Sequence, residues 1–114
     1  MRNMAFSMTK QQIYDKTKTQ TRRFGWRFAK LGMRVCVVEK CQGIGKGNTI
    51  VRICVIEVVS TRWEPLNVIT QQDVIDEGFP HLTPDEFVRM LADPKHLAYD
   101  VEVNRIVFKY VEEQ

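Results

Sequence analysis

Histidine and cysteine are scarce in this chain, and their scarcity narrows its chemistry. His81, His96, Cys36, Cys41 and Cys54 do not make up the closely spaced pairs of a zinc site, so neither a metal nor another cofactor is expected. An odd cysteine count, with two of the three in apolar runs, reads as buried reduced thiols in a reducing compartment, and so as a cytoplasmic protein. No apolar run approaches the roughly 18 residues needed to cross a bilayer, and the N-terminus lacks the charged-then-apolar pattern of a signal peptide. No membrane partner is expected. The long strand-helix alternation of a doubly wound sheet is also missing. Gly43-Ile44-Gly45-Lys46-Gly47 lacks the first glycine of a Walker loop, and Gly47 stands where Ser or Thr would bind magnesium. That segment reads as a flexible connection between strands.

What is present fits one soluble domain over residues 1–114, with 44% apolar and 27% charged residues. The net charge of +3 hides an asymmetry. Residues 1–34 carry nine Lys and Arg against one acid, Asp15, whereas residues 35–114 carry eight against thirteen. The basic first third is either an anion-binding face or a set of charges that folding pairs with the later acids.

The densest part of that third is Lys18-Thr19-Gln20-Thr21-Arg22-Arg23, which has no apolar side chain. Three geometries are open to it. An extended backbone sends Lys18, Gln20 and Arg22 to one face and Thr19, Thr21 and Arg23 to the other, which suits a row of phosphates. A turn brings Lys18 beside Thr21, an amine beside a hydroxyl, which suits chemistry. A solvated basic turn would do neither. Trp26 and Arg27 follow within Phe24-Gly25-Trp26-Arg27-Phe28, where aromatics interleave with a cation and could stack bases, while Phe28 is expected in the core.

Around this run the pattern predicts a strand at Met4–Met8 and a helix over 10–16, opened by a Thr9/Gln12 capping box. Next come a strand at Arg34–Glu39 buried on both faces and a long, bent strand from Thr49 to Ser60 that serves two sides of a barrel. Glu64-Pro65-Leu66 then makes a turn. A helix follows from Thr70, with Asp73 in its first turn, and ends at Gly78. Another, started by Thr83, Pro84 and Glu86, buries Phe87, Met90 and Leu91 and stops before Pro94. A final strand covers 101–111. Asp76 and Glu77 sit at a helix C-terminus, where the dipole disfavours negative charge by about 0.3–1 kcal/mol each. Either the helix end is frayed and solvated, or a carboxylate is held there for acid–base work.

The Lys18–Arg23 run, Gly32 before a valine-rich strand, Ile75-Asp76-Glu77-Gly78-Phe79 and the C-terminal strand together resemble the ASCH domain family across nearly the whole chain. Trp26, Glu64-Pro65-Leu66 and the Glu77-Gly78-Phe79-Pro80 wording look like the small ASCH proteins of phages. The resemblance implies an α+β fold, a small mixed PUA-like β-barrel with two or three short helices. Some ASCH proteins are N4-acetylcytidine amidohydrolases, whose catalytic lysine, threonine and glutamate match Lys18, Thr21 and Glu77; others bind RNA, and one branch is credited with ribonuclease activity. This chain departs from the family in having Lys16 where a glycine usually precedes the motif, and Met33 where an acid commonly follows Gly32.

Two functions follow as expectations. One is binding of RNA, single-stranded nucleic acid or a modified nucleoside through a basic pocket formed by Lys16, Thr19, Gln20, Arg22, Arg23, Trp26 and Arg27. The other is deacylation of an N4-acylated cytidine, with Lys18 kept neutral as base, Thr21 or a water as nucleophile, Glu77 protonating the leaving amine and the arginines holding the oxyanion. A third reading is a phage factor that binds a host protein through Phe24 to Phe28.

Overall fold

The computed structural model describes residues 1–39 and 50–112. The glycine-rich segment and Cys41 lie outside the described residues. The elements run β1 (Arg2–Ala5), α1 (Lys10–Tyr14), β2 (Gln20–Arg23), β3 (Arg34–Val38), β4 (Arg52–Pro65), a 3-10 turn (Leu66–Val68), α2 (Gln71–Asp76), α3 (Pro84–Ala92), a 3-10 turn (Asp93–Lys95) and β5 (Glu102–Val111). The strands form one sheet in the order β1-β3-β4-β5-β2, antiparallel except for the β1–β3 pair. This is the expected α+β class: a mixed half-barrel with three short helices.

Strand β4 organises the sheet. It spans 14 residues, pairs with β3 through its first part and with β5 from Val55 to Pro65, and carries a bulge between Val58 and Ser60. A bulge adds a residue on one strand and bends it, which lets one strand serve two sides of a curled sheet. The curl brings the two outer strands of the order together. Arg23 of β2 donates from Nη2 to the Ala5 carbonyl of β1 at 2.7 Å. The barrel is therefore joined at its seam by a side chain.

Inside the barrel, Met4, Phe6, Val35, Val37, Ile56, Ile106 and Phe108 are buried together. Leu66, Val74, Phe87, Val88 and Val103 form a second cluster, to which α2 and α3 contribute. Both helices start as expected. Thr70 with Asp73, and Thr83 with Glu86, form complete capping boxes, and Gly78 at φ +100° ends the α2 segment.

Several local expectations need correction. Strand β1 is Arg2–Ala5, earlier than Met4–Met8, because its register is set by parallel pairing with Val35 to Val38. Thr9 makes no side-chain cap: its backbone, at φ −126° and ψ 27°, lies outside the extended N-cap conformation and its N–H donates to the Phe6 carbonyl, while Gln12 Nε2 donates to the Gly78 carbonyl at 2.9 Å. Helix α1 then stops at Tyr14, and Lys16 adopts φ +60°. Strand β4 runs through Glu64 and Pro65, where a turn was expected, because Arg62, Trp63 and Glu64 pair with Arg105, Asn104 and Val103. In β3, Cys36 is only half-buried. Phe28 is 44% exposed, with the Arg2 guanidinium 3.9 Å from its ring centroid, while Ala29 takes the interior place.

Candidate active site

The Lys18–Arg23 run is neither a solvated turn nor an exposed row of charge. Lys18, Gln20, Thr21 and Arg22 are all buried. From Gln20 onward the backbone is strand β2, paired with Asn104 to Val107 of β5. The period of two is visible in the side-chain bonds. Arg22 donates to Gln20 Oε1 at 3.0 Å, and Arg23 Nε donates to Thr21 Oγ1 at 3.0 Å.

Upstream of the strand, the backbone of the run is tied on both sides. Thr19 N–H donates to the Asp76 carbonyl at 2.8 Å, and the Tyr110 hydroxyl donates to the Lys18 carbonyl at 2.6 Å. Burial pushes the Tyr110 hydroxyl up, which keeps it a donor. The Lys18 ammonium caps the far end of α2, donating to the Glu77 carbonyl, and its Nζ lies 3.5 Å from Glu77 Oε1. A cation at a helix C-terminus meets orphan carbonyls and the negative end of the dipole. The acids at the end of α2 are thus compensated by this run, and Glu77 is buried where a frayed end was one alternative.

Arg22 is the hub beneath Lys18. Its Nη1 meets Glu77 Oε2 at 2.9 Å, and its Nη2 meets Glu64 Oε2 at 3.3 Å and Asp73 Oδ2 at 3.4 Å. Folding therefore pairs part of the early positive charge, Lys18, Arg22 and Arg34, with later acids. An arginine fork can satisfy several carboxylates at once, and a buried charge is tolerable only when so paired. Arg22 is committed to these acids.

Lys18, Thr21 and Glu77 line one cavity of about 260 Å³ with Arg22 and Arg23. It opens beside the barrel seam, between the segment after β1 (Phe6, Ser7, Met8, Thr9) and β2. Burial pushes the Lys18 amine from its ordinary 10.5 down to about 8; Glu77 opposes the shift, and Arg23 and Arg22 reinforce it. The Lys18 amine also lies 5.4 Å from the Phe6 ring and 5.8 Å from that of Phe79. The arrangement supplies an amine that deprotonates near neutral pH, a hydroxyl already accepting a guanidinium hydrogen bond, and a carboxylate touching the amine.

The other residues expected in the site lie outside this cavity. Gln20 bonds Asp73 and Asp76, and the Thr19 carbonyl accepts from Phe108 N–H. Lys16 is exposed, 6.0 Å from the Tyr110 ring. Trp26 packs on the barrel core, its carbonyl accepting from Asn104, and Arg27 stacks over Trp63 at 4.4 Å. Sequence reasoning missed the cavity's apolar wall of Phe24, Phe79, Phe87, Met90 and Leu91. It also missed Glu64 and Asp73 as partners of Arg22. The signal for Glu64 was an acid two residues from Arg62 at the end of a strand-like run; Asp73 was accounted for as a cap and gave none.

No family model and no curated protein sequence matches the chain. The fold has a clear neighbour. The chain is similar to the crystal structure of protein EF3133 from Enterococcus faecalis V583, described by the family model DUF984, with a TM-score of 0.65 at 16% identity. The match covers 97% of this chain and 76% of that one. At this identity the likeness establishes the shared fold.

Proposed function

We propose that this protein hydrolyses an acyl amide on the exocyclic amine of a modified pyrimidine nucleoside. The observation that carries the reading is the sharing of one cavity by Lys18, Thr21 and Glu77, all nearly inaccessible to solvent, with the lysine amine driven towards its neutral form. Neutral Lys18 takes the Thr21 proton as Thr21 Oγ1 bonds to the acyl carbon. The carbon–nitrogen bond then breaks, and that proton passes to the leaving amine from Lys18, directly or through Glu77. Water cleaves the resulting ester, releasing the carboxylic acid and restoring the hydroxyl. Arg23, donating to Thr21 Oγ1, stabilises the charge that develops there. The ASCH resemblance supports this reading at the three motif positions.

Incubation with N4-acetylcytidine, followed by chromatography for cytidine, tests it. Product well above a Thr21→Ala control is expected; product no higher than that control would sink the hydrolase reading for that substrate.

A second reading, binding of RNA or a modified nucleoside without turnover, draws on the exposed Arg27 and its stack on Trp63. It predicts an affinity for single-stranded RNA that falls with salt and loses about one unit of slope in Arg27→Ala. Absence of low-salt binding to a panel of RNAs would remove it.

A further inference from the structure

The walls of the seam cavity differ in chemistry. Its reactive groups, Lys18, Thr21 and Glu77, are buried, whereas Ser7 and Met8 on the β1 side are exposed and form a mouth. Another part of the lining is Phe24, Phe79, Phe87, Met90 and Leu91, with no polar side chain among these five. Phe79 and Phe87 meet edge to face at 5.7 Å and join the second core cluster, and Phe87, Met90 and Leu91 are carried by α3.

A substrate amide has two ends, and they make opposite demands. The nucleoside end carries sugar hydroxyls, which lose hydrogen bonds if buried against phenylalanine, leucine and methionine. The acyl end has a hydrocarbon tail, which gains from such burial. With the acyl carbon at Thr21, one end must face the mouth and the other the apolar wall. Resting on the hydrolase reading above, we infer that the wall made by Phe24, Phe87, Met90 and Leu91 is an acyl pocket, and that the protein selects nucleosides N-acylated with chains longer than acetyl.

Buried methylenes set the size of the effect. Each contributes about 0.8 kcal/mol when fully desolvated, or roughly a fourfold gain in kcat/KM per added methylene until the wall is covered. The experiment compares kcat/KM for N4-acetyl-, N4-butyryl- and N4-hexanoylcytidine in the wild-type protein, in Met90→Trp, which fills the wall, and in Met90→Ala, which enlarges it. Each variant is checked for native circular dichroism. The expected result is a rise of about tenfold or more from acetyl to butyryl, lost in Met90→Trp, and an optimum moved to longer chains in Met90→Ala. Acetylcytidine turned over as fast as or faster than the longer substrates would overturn the acyl pocket while leaving the hydrolase reading intact. So would a preference unchanged by both substitutions. No turnover of any of the three would end both.

Discussion

Lys18 carries an amine that its surroundings hold at the edge of neutrality. Its pKa is lowered from 10.5 to about 8, chiefly by burial. Between those values the unfolded chain binds a proton that the folded chain has released, so stability rises with pH across that window and is flat below it. The full effect is roughly 3 kcal/mol. Lys18→Met is expected to abolish this rise, measured as the difference between wild-type and variant urea-unfolding free energies at pH 7 and near pH 10. Arg22 is a different case. Removing it leaves Glu64, Asp73 and Glu77 clustered without their shared cation, and Arg22→Met is expected to cost about 3–5 kcal/mol in the same assay at pH 7. Arg22→Lys should recover little, because a single ammonium cannot span the three acids. Lys16 sits at φ +60°, where a side chain is strained and glycine is not, so Lys16→Gly should raise stability by up to about 1 kcal/mol, read as an increase in the urea midpoint.

Among the elements, the helices with complete side-chain caps were the most legible. Thr70 and Thr83 each announce their starts through a side chain bonded three residues ahead, a purely local rule. Helix α1 starts at Lys10 as expected, but the Thr9/Gln12 capping box does not form, and Gln12 donates instead to Gly78, 66 residues away. The extent of β4 was misread for a similar reason: Glu64-Pro65-Leu66 has the form of a turn, but Glu64 pairs with Val103 of β5 through its backbone and with Arg22 of β2 through its carboxylate. Alternation can show that a residue belongs in a strand, and it cannot show that a buried ion pair awaits it. Thr83→Ala should cost about 1 kcal/mol and loosen α3, which carries Phe87 and Met90 in the cavity wall. Faster amide hydrogen exchange in the first turn of α3, with β3 unchanged, would report that loosening.

For the whole molecule, the site exists because a sheet with two distant outer strands curls until they meet. Arg23 reaches Ala5 across that seam, and the cavity opens beside it. The motif residues Lys18, Thr21 and Glu77 were legible from the sequence through resemblance alone. Their convergence was not, because it depends on the bulge in β4 and on the docking of the α2 terminus onto the run before β2. The sequence left open whether Lys18–Arg23 is extended or turned, with only the turned form joining Lys18 to Thr21. The chain is extended from Gln20 onward, and the two residues still share a cavity, with Lys18 lying ahead of the strand.

The most direct measurement is the pH dependence of kcat/KM for N4-acetylcytidine hydrolysis, from about pH 6 to about pH 9.5. If neutral Lys18 is the base, the rate rises about tenfold per pH unit below roughly pH 8 and levels off above it, with no turnover beyond background in Thr21→Ala. A pH-independent rate, or none above the Thr21→Ala background, would contradict the assignment of Lys18 and Thr21 as the catalytic pair.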